Sequence, residues 1–172
     1  MTKKVLIVFF LISGIVSAQQ FSVKTAFLEK WKNSKKYLLE IADKMPEDNY
    51  EFKPTAREMM FKEQLLHIRQ NMLWLGTTYF SEEKFDREAL KKNVPQKKSE
   101  IIKLLENAFD KVYTQVQNST KDDLQVEIDF FAGRKSRLQI LNLLQDHVTH
   151  HRGQLIVYLN LNEIKPPRYV GW

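Results

Sequence analysis

Apolar residues return every three or four positions in four separate long runs, a period that commits most of this chain to amphipathic helix. The first run, Phe21 to Met45, sets Phe27, Trp31, Leu38 and Ile41 among lysines and glutamates, and Pro46, Asp48 and Asn49 end it. The second extends from about Ala56 to Phe80, beyond the connection that holds Pro54. A lysine-rich loop from Lys84 to Lys98 leads to the third, capped by Ser99 and running through Gln117. Val126, Ile128 and Phe130 then alternate with Glu127 and Asp129, which predicts a short extended segment, and Gly133 turns the chain. Ser136-Arg137-Leu138-Gln139 has the S-x-x-Q form of a capping box and opens the fourth helix, which runs to about Asn162 before Pro166-Pro167 stops it. The expected fold is all-α, a four-helix bundle with a short extended segment before the last helix. The aromatic tail from Arg168 to Trp172 is expected to fold back on the bundle.

The N-terminus has a different character. Lys3 and Lys4 precede an apolar stretch from Val5 to Val16, and Val16-Ser17-Ala18 supplies small residues where a signal peptidase cuts. The stretch is shorter than the roughly 20 apolar residues of a membrane span, so residues 1 to 18 read as a signal peptide and residues 19 to 172 as one domain. Export to the periplasm or the exterior is expected, with no stable membrane anchor after cleavage. An uncleaved N-terminal anchor is the alternative. The formal net charge is +6, two of which leave with Lys3 and Lys4, and the remaining lysines are spread along the chain. Spread charge without a recognition motif argues against a nucleic-acid partner. With no cysteine, the chain has neither a disulfide framework nor a thiolate ligand, so any chemistry rests on nitrogen and oxygen groups.

Three of the four histidines fall within five residues, in Asp146-His147-Val148-Thr149-His150-His151. Residues four apart share a helix face with Cβ atoms about 5–6 Å apart, so His147 and His151 can offer two imidazoles to one ion. His150 points elsewhere and is the fallback ligand. Ile140, Leu143, Leu144, Leu155 and Tyr158 share or flank the same stripe, which turns these imidazoles inward, where an unpaired polar group costs free energy. The bland reading is a set of surface histidines or hydrogen-bonded core histidines. His67, among leucines and an isoleucine on the second helix, completes a three-histidine set of the kind that leaves a coordination position open. Gln64, Asn71 and Trp74 lie within two turns of His67 and are candidates for supporting or pocket roles. Gly153, inside a helix, points to a closely approaching neighbour. Gln154 either hydrogen-bonds a ligand histidine or faces solvent. Arg152 either binds an anion or pairs with Asp146.

With His67 in "LLHIRQN", "HVTHHRGQL" about eighty residues later, and Pro54 to Arg57 as a P-T-x-R element ahead of both, the chain resembles the DinB-like (DNA-damage-inducible, YfiT-like) four-helix metalloproteins over the whole mature length. That resemblance implies an up-down-down-up bundle in which His67, His147 and His151 bind a divalent metal, often with water completing the shell. It also brings in thiol-dependent transferases and isomerases that use bacillithiol or mycothiol.

The leading functional expectation is therefore a metal-dependent hydrolase or (thiol) transferase acting on a small molecule. No further general base stands at a fixed spacing. The alternative is a non-catalytic metal- or ligand-binding helical module with a structural metal. Three imidazoles suit Zn, Ni, Cu or Fe alike. Amphipathic bundles dimerise without a distinctive mark, which leaves a homodimer open.

Overall fold

The computed structural model describes residues 22–92 and 94–172. Residues 1–18, read above as a signal peptide, lie outside the described residues. Four long helices dominate: α1 (Val23–Lys44), α2 (Phe61–Phe80), α4 (Lys98–Asn118) and α6 (Arg137–Leu161). Between them lie a 3-10 turn (Glu47–Asn49), the short helices α3 (Arg87–Lys92) and α5 (Lys121–Gln125), and a two-residue antiparallel ladder of β1 (Glu127–Ile128) with β2 (Lys135–Ser136). No helix among the described residues is long and apolar enough to cross a membrane.

Cross-helix contacts define the topology. Lys24 Nζ reaches the Gln117 carbonyl at 3.1 Å and the Trp31 indole N–H donates to the Phe109 carbonyl at 3.0 Å, so α1 and α4 run antiparallel. Lys62 meets Gln96 beside the start of α4, and Gln115 meets Thr77 near its end, so α2 and α4 run parallel. His67 meets His147 and Gln64 meets His151, so α2 and α6 run antiparallel. The chain is thus an up-down-down-up bundle, with α4 and α6 each packed against both α1 and α2. A parallel α2–α4 pair needs a connection that returns along the bundle, which is why residues 81–97 are long. That connection contains α3, where the lysine-rich composition predicts loop.

Local rules account for the helix ends. Ser22 Oγ accepts from the Thr25 N–H at 3.1 Å, capping α1. The expected capping box at α6 forms: the Gln139 N–H donates to Ser136 Oγ at 3.3 Å, and the Ser136 N–H to Gln139 Oε1 at 2.8 Å. Two starts differ from expectation. α2 begins at Phe61 rather than Ala56, because Glu63 accepts from the Met60 N–H at 2.7 Å and fixes the first turn there. α4 begins at Lys98, before Ser99, and the Lys98 N–H is satisfied by Glu47 at 3.1 Å from the 3-10 turn. The tail folds back as expected: Asn33 donates to the Val170 carbonyl at 3.0 Å, and Tyr169 meets Tyr37 edge-on.

The close-packed glycine is Gly76, not Gly153. A Cβ at Gly76 would lie 2.7 Å from both Val112 Cγ2 and Gln115 Oε1, so α2 and α4 approach there, whereas a Cβ at Gly153 meets nothing within 4 Å. Gly153→Ala is expected to raise stability by about 1 kcal/mol through helix propensity. Gly76→Ala is expected to lower it by about 1–3 kcal/mol through overpacking. Urea midpoints that move in the same direction for both variants would contradict this assignment.

Candidate metal centre

Antiparallel packing of α2 on α6 brings the three histidines together. His147 and His151 follow one turn apart on α6, with ring centroids 4.5 Å apart, and His67 from α2 places its ring 4.9 Å from the first and 4.6 Å from the second. One nitrogen from each lies within 4.8 Å of the others. The register that aligns them is set by fully buried apolar neighbours, Leu65 and Ile68 on α2 with Leu144 and Leu155 on α6.

The nitrogens are arranged for donation to a common point. His147 Nε2 and His67 Nε2 are 3.0 Å apart. One edge of a tetrahedral site with metal–nitrogen bonds of about 2.0–2.1 Å spans roughly 3.3 Å, close to that separation. His151 has its other nitrogen engaged: Nδ1 lies 2.5 Å from Gln64 Oε1. An amide oxygen only accepts, so His151 Nδ1 carries the proton and its Nε2 lone pair is free. Gln64 Nε2 in turn donates to the Tyr158 hydroxyl at 3.4 Å, and that hydroxyl donates to the Met59 carbonyl at 2.8 Å. The chain of donors fixes the ring orientation and tautomer of His151, the usual task of partners behind a metal-ligating imidazole. His147 Nδ1 is buried with no partner among the described residues.

Burial, reinforced by neighbouring histidines, pushes His147 down to about 3 and His151 down to about 4, and burial lowers His67 as well. All three imidazoles are neutral at pH 7, the form that ligates a metal. An unfolded histidine titrates near 6.5, so below that pH the unfolded chain binds more protons than the folded one. Stability contributed by the neutral triad is complete above about pH 6.5 and is lost progressively as the pH falls toward the lowered values. Chelator-treated protein is expected to have a lower urea midpoint at pH 5 than at pH 7.5. Equal midpoints would contradict a buried neutral triad.

The neighbouring expectations divide. Gln64 supports the site directly. Asn71 lies nearby on α2 with a buried Oδ1 lacking a partner among the described residues. Trp74 instead stacks on Phe130 of the β1–β2 connection at 5.9 Å. His150 is exposed, accepts from the Gln154 side chain at 3.1 Å and stands outside the three-histidine group. Arg152 neither pairs with Asp146 nor reaches an anion pocket: it is 6% exposed, lies over the Tyr37 ring at 5.1 Å and donates to Ser34 Oγ at 3.4 Å. Its position one residue beyond His151 turns it about 100° away, toward α1. Sequence reasoning missed the relay through Tyr158 to Met59, whose only signal is that Tyr158 follows His151 by two helical turns.

A cavity of about 210 Å³ lies beside the triad, between α2 and the connection that carries α3, and includes His67, Leu66, Arg69 and Leu90 in its wall. Larger surface depressions lie elsewhere, as between Val94 and Leu104, but contain none of these histidines.

Comparison with known proteins agrees with this fold. The DinB family profile matches residues 19–168. The chain is 24% identical over 123 residues to the uncharacterized protein YjoA of Bacillus subtilis strain 168, covering 70% of this chain and 78% of that protein. The crystal structure of B. subtilis YjoA, a DinB-like protein, superposes with a TM-score of 0.69 at 20% identity, over 84% of this chain and 96% of that one. A DinB-like protein from Bacillus cereus ATCC 10987 gives 0.70 at 21% identity, over 84% and 95%. At these identities the two structures share the fold.

Proposed function

This chain belongs to the DinB family, and we propose that it is an exported member that binds one divalent metal ion through His67, His147 and His151 and transforms a small molecule as a hydrolase or a group (including thiol) transferase. The observation that carries the reading is the convergence of three neutral imidazoles from two helices, with nitrogens mutually within 4.8 Å. Cavity space at the His67 side supports a catalytic ion over a purely structural one. Export rests on the signal-peptide pattern of residues 1–18. Scattered positive charge favours a small-molecule substrate over nucleic acid.

A divalent ion held by three imidazoles supplies Lewis acidity and lowers the pKa of a bound water or thiol. The protein's own part is positional. Gln64 holds His151 as the Nδ1–H tautomer, and Tyr158 holds Gln64 by linking it to the Met59 carbonyl. Leu65, Ile68 and Leu144, all fully buried, keep the ligand-bearing faces from sliding. Gln64→Leu removes the acceptor while keeping side-chain bulk, and is expected to weaken metal affinity by about 10–100-fold in chelator competition. Unchanged affinity would mean that the relay plays no part in positioning the ligand.

The direct test is metal content of the untagged mature protein by mass spectrometry, before and after reloading with Zn, Ni or Fe. About one equivalent is expected, as for any single three-histidine site. No bound metal after reloading would overturn the proposal.

A further inference from the structure

We propose that the cavity beside His67 is a binding subsite for the carboxylate of a small organic acid, held by Arg69. Arg69 is half-buried and its Nε is fully buried, yet no ion pair or hydrogen bond to another described residue engages that atom. Arg137 Nε is likewise buried without a hydrogen bond among the described residues, but the Arg137 guanidinium faces the Asp123 carboxylate at 3.8 Å, and Arg152 has Ser34 and the Tyr37 ring. Burying one donor of a guanidinium without a partner costs free energy, and the Nη donors that remain reachable from the cavity form a fixed fork that suits a carboxylate with two oxygens. Arg69 and His67 both line the cavity, so an acid held by Arg69 lies beside the proposed metal.

The rest of the wall narrows the class. Leu66, Leu90 and Val94 make it largely apolar, which strengthens a charge pair formed inside. Lys91 is exposed and already paired with Glu88 at 2.8 Å. Glu63, also in the wall, is tied to the Met60 N–H at 2.7 Å and disfavours a ligand with more than one negative charge. Among the described residues of the wall, a single available cation facing one fixed carboxylate selects a monoanion over a phosphate dianion. At about 210 Å³ the cavity is smaller than sites for drug-sized ligands, roughly 300–1,000 Å³, so it takes a small acid or the acid end of a larger one. As the substrate class of the metal site this inference rests on the function proposed above; as an anion site it stands on Arg69.

Benzoate and inorganic phosphate serve as probes, titrated into chelator-treated and metal-loaded protein while the arginine Nε–H signals are followed by ¹⁵N NMR. Benzoate is expected to bind saturably in both preparations and to shift the Arg69 signal, with phosphate at least tenfold weaker because the described residues of the wall offer one available cation. Arg69→Gln and Arg69→Met are expected to weaken benzoate roughly tenfold or more, the loss of a charge-assisted hydrogen-bonded pair. Both variants are expected to melt no lower than the parent, since they remove a buried Nε donor that lacks a partner among the described residues, and to keep their metal. Arg57→Gln, at an exposed position, controls for non-specific charge. Equal benzoate affinity in the parent and both Arg69 variants, or no saturable binding by the parent, overturns the subsite whatever the metal content. Benzoate binding that tracks Arg69 in a protein that takes no metal upholds the subsite and refutes the metal reading alone.

Discussion

His67→Ala and His147→Ala are each expected to abolish stoichiometric metal binding, from about one equivalent in the parent to a trace in the variant, because two imidazoles without the third do not hold an ion against a chelator. The two residues lie on different helices, and their Nε2 atoms are 3.0 Å apart across the α2–α6 interface. Loss in both variants would therefore identify an interhelical site, whereas loss in His147→Ala alone would confine it to α6. Stability offers a second readout. An ion present at 100 times its dissociation constant stabilises the folded state by about 2.7 kcal/mol, an increment that the parent should show on metal addition and the variants should lack. In chelator-treated protein the His147 truncation should cost less than a typical buried large-to-small change, because Nδ1 of that ring has no partner to lose. A metal-induced rise in melting temperature that survives both substitutions would exclude His67 and His147 as ligands.

The largest effect on the fold itself is expected at Phe109. Its side chain is completely buried, with its ring 4.8 Å from that of Trp31, while its carbonyl receives the Trp31 indole N–H. Phe109→Ala leaves a cavity at the α1–α4 seam and leaves Trp31 with only the stacked Phe27 ring beside it among the described aromatic pairs, at a cost of about 3–5 kcal/mol. That is a large fraction of the roughly 5–15 kcal/mol by which domains are stable. The urea midpoint should fall with little change in slope. Metal content below the transition should stay at the parental value, since the seam between α1 and α4 does not supply the histidines. Loss of metal together with only a small fall in midpoint would show that the two seams are coupled more tightly than this packing implies.

Much of the bundle was legible because its signals are local. The S-x-x-Q box at Ser136 formed as read, since a serine three residues before a glutamine meets the same backbone donors wherever a helix starts. The extended segment at Val126 to Phe130 is realised only as a two-residue ladder, because alternation marks an extended chain but not how much partner it finds. The short helix α3 escaped notice, its few lysine-rich residues carrying too little periodicity to register. Gly153 and Arg152 were misjudged for a common reason. A helix interior says that a glycine is unusual or an arginine is present, but which neighbour each faces depends on the angle at which another helix crosses.

The histidines show the same division most sharply. That His147 and His151 share a face follows from the sequence alone, because four residues bring an α-helix back nearly to the same side. The pairing of α2 with α6, and its register, were decided by the tertiary structure, where interlocking Leu65, Ile68, Leu144 and Leu155 admit few alignments. From that register came the three convergent imidazoles, the Gln64 link to Tyr158 and the placing of Arg69 beside His67 at the cavity wall, relations that no local period encodes.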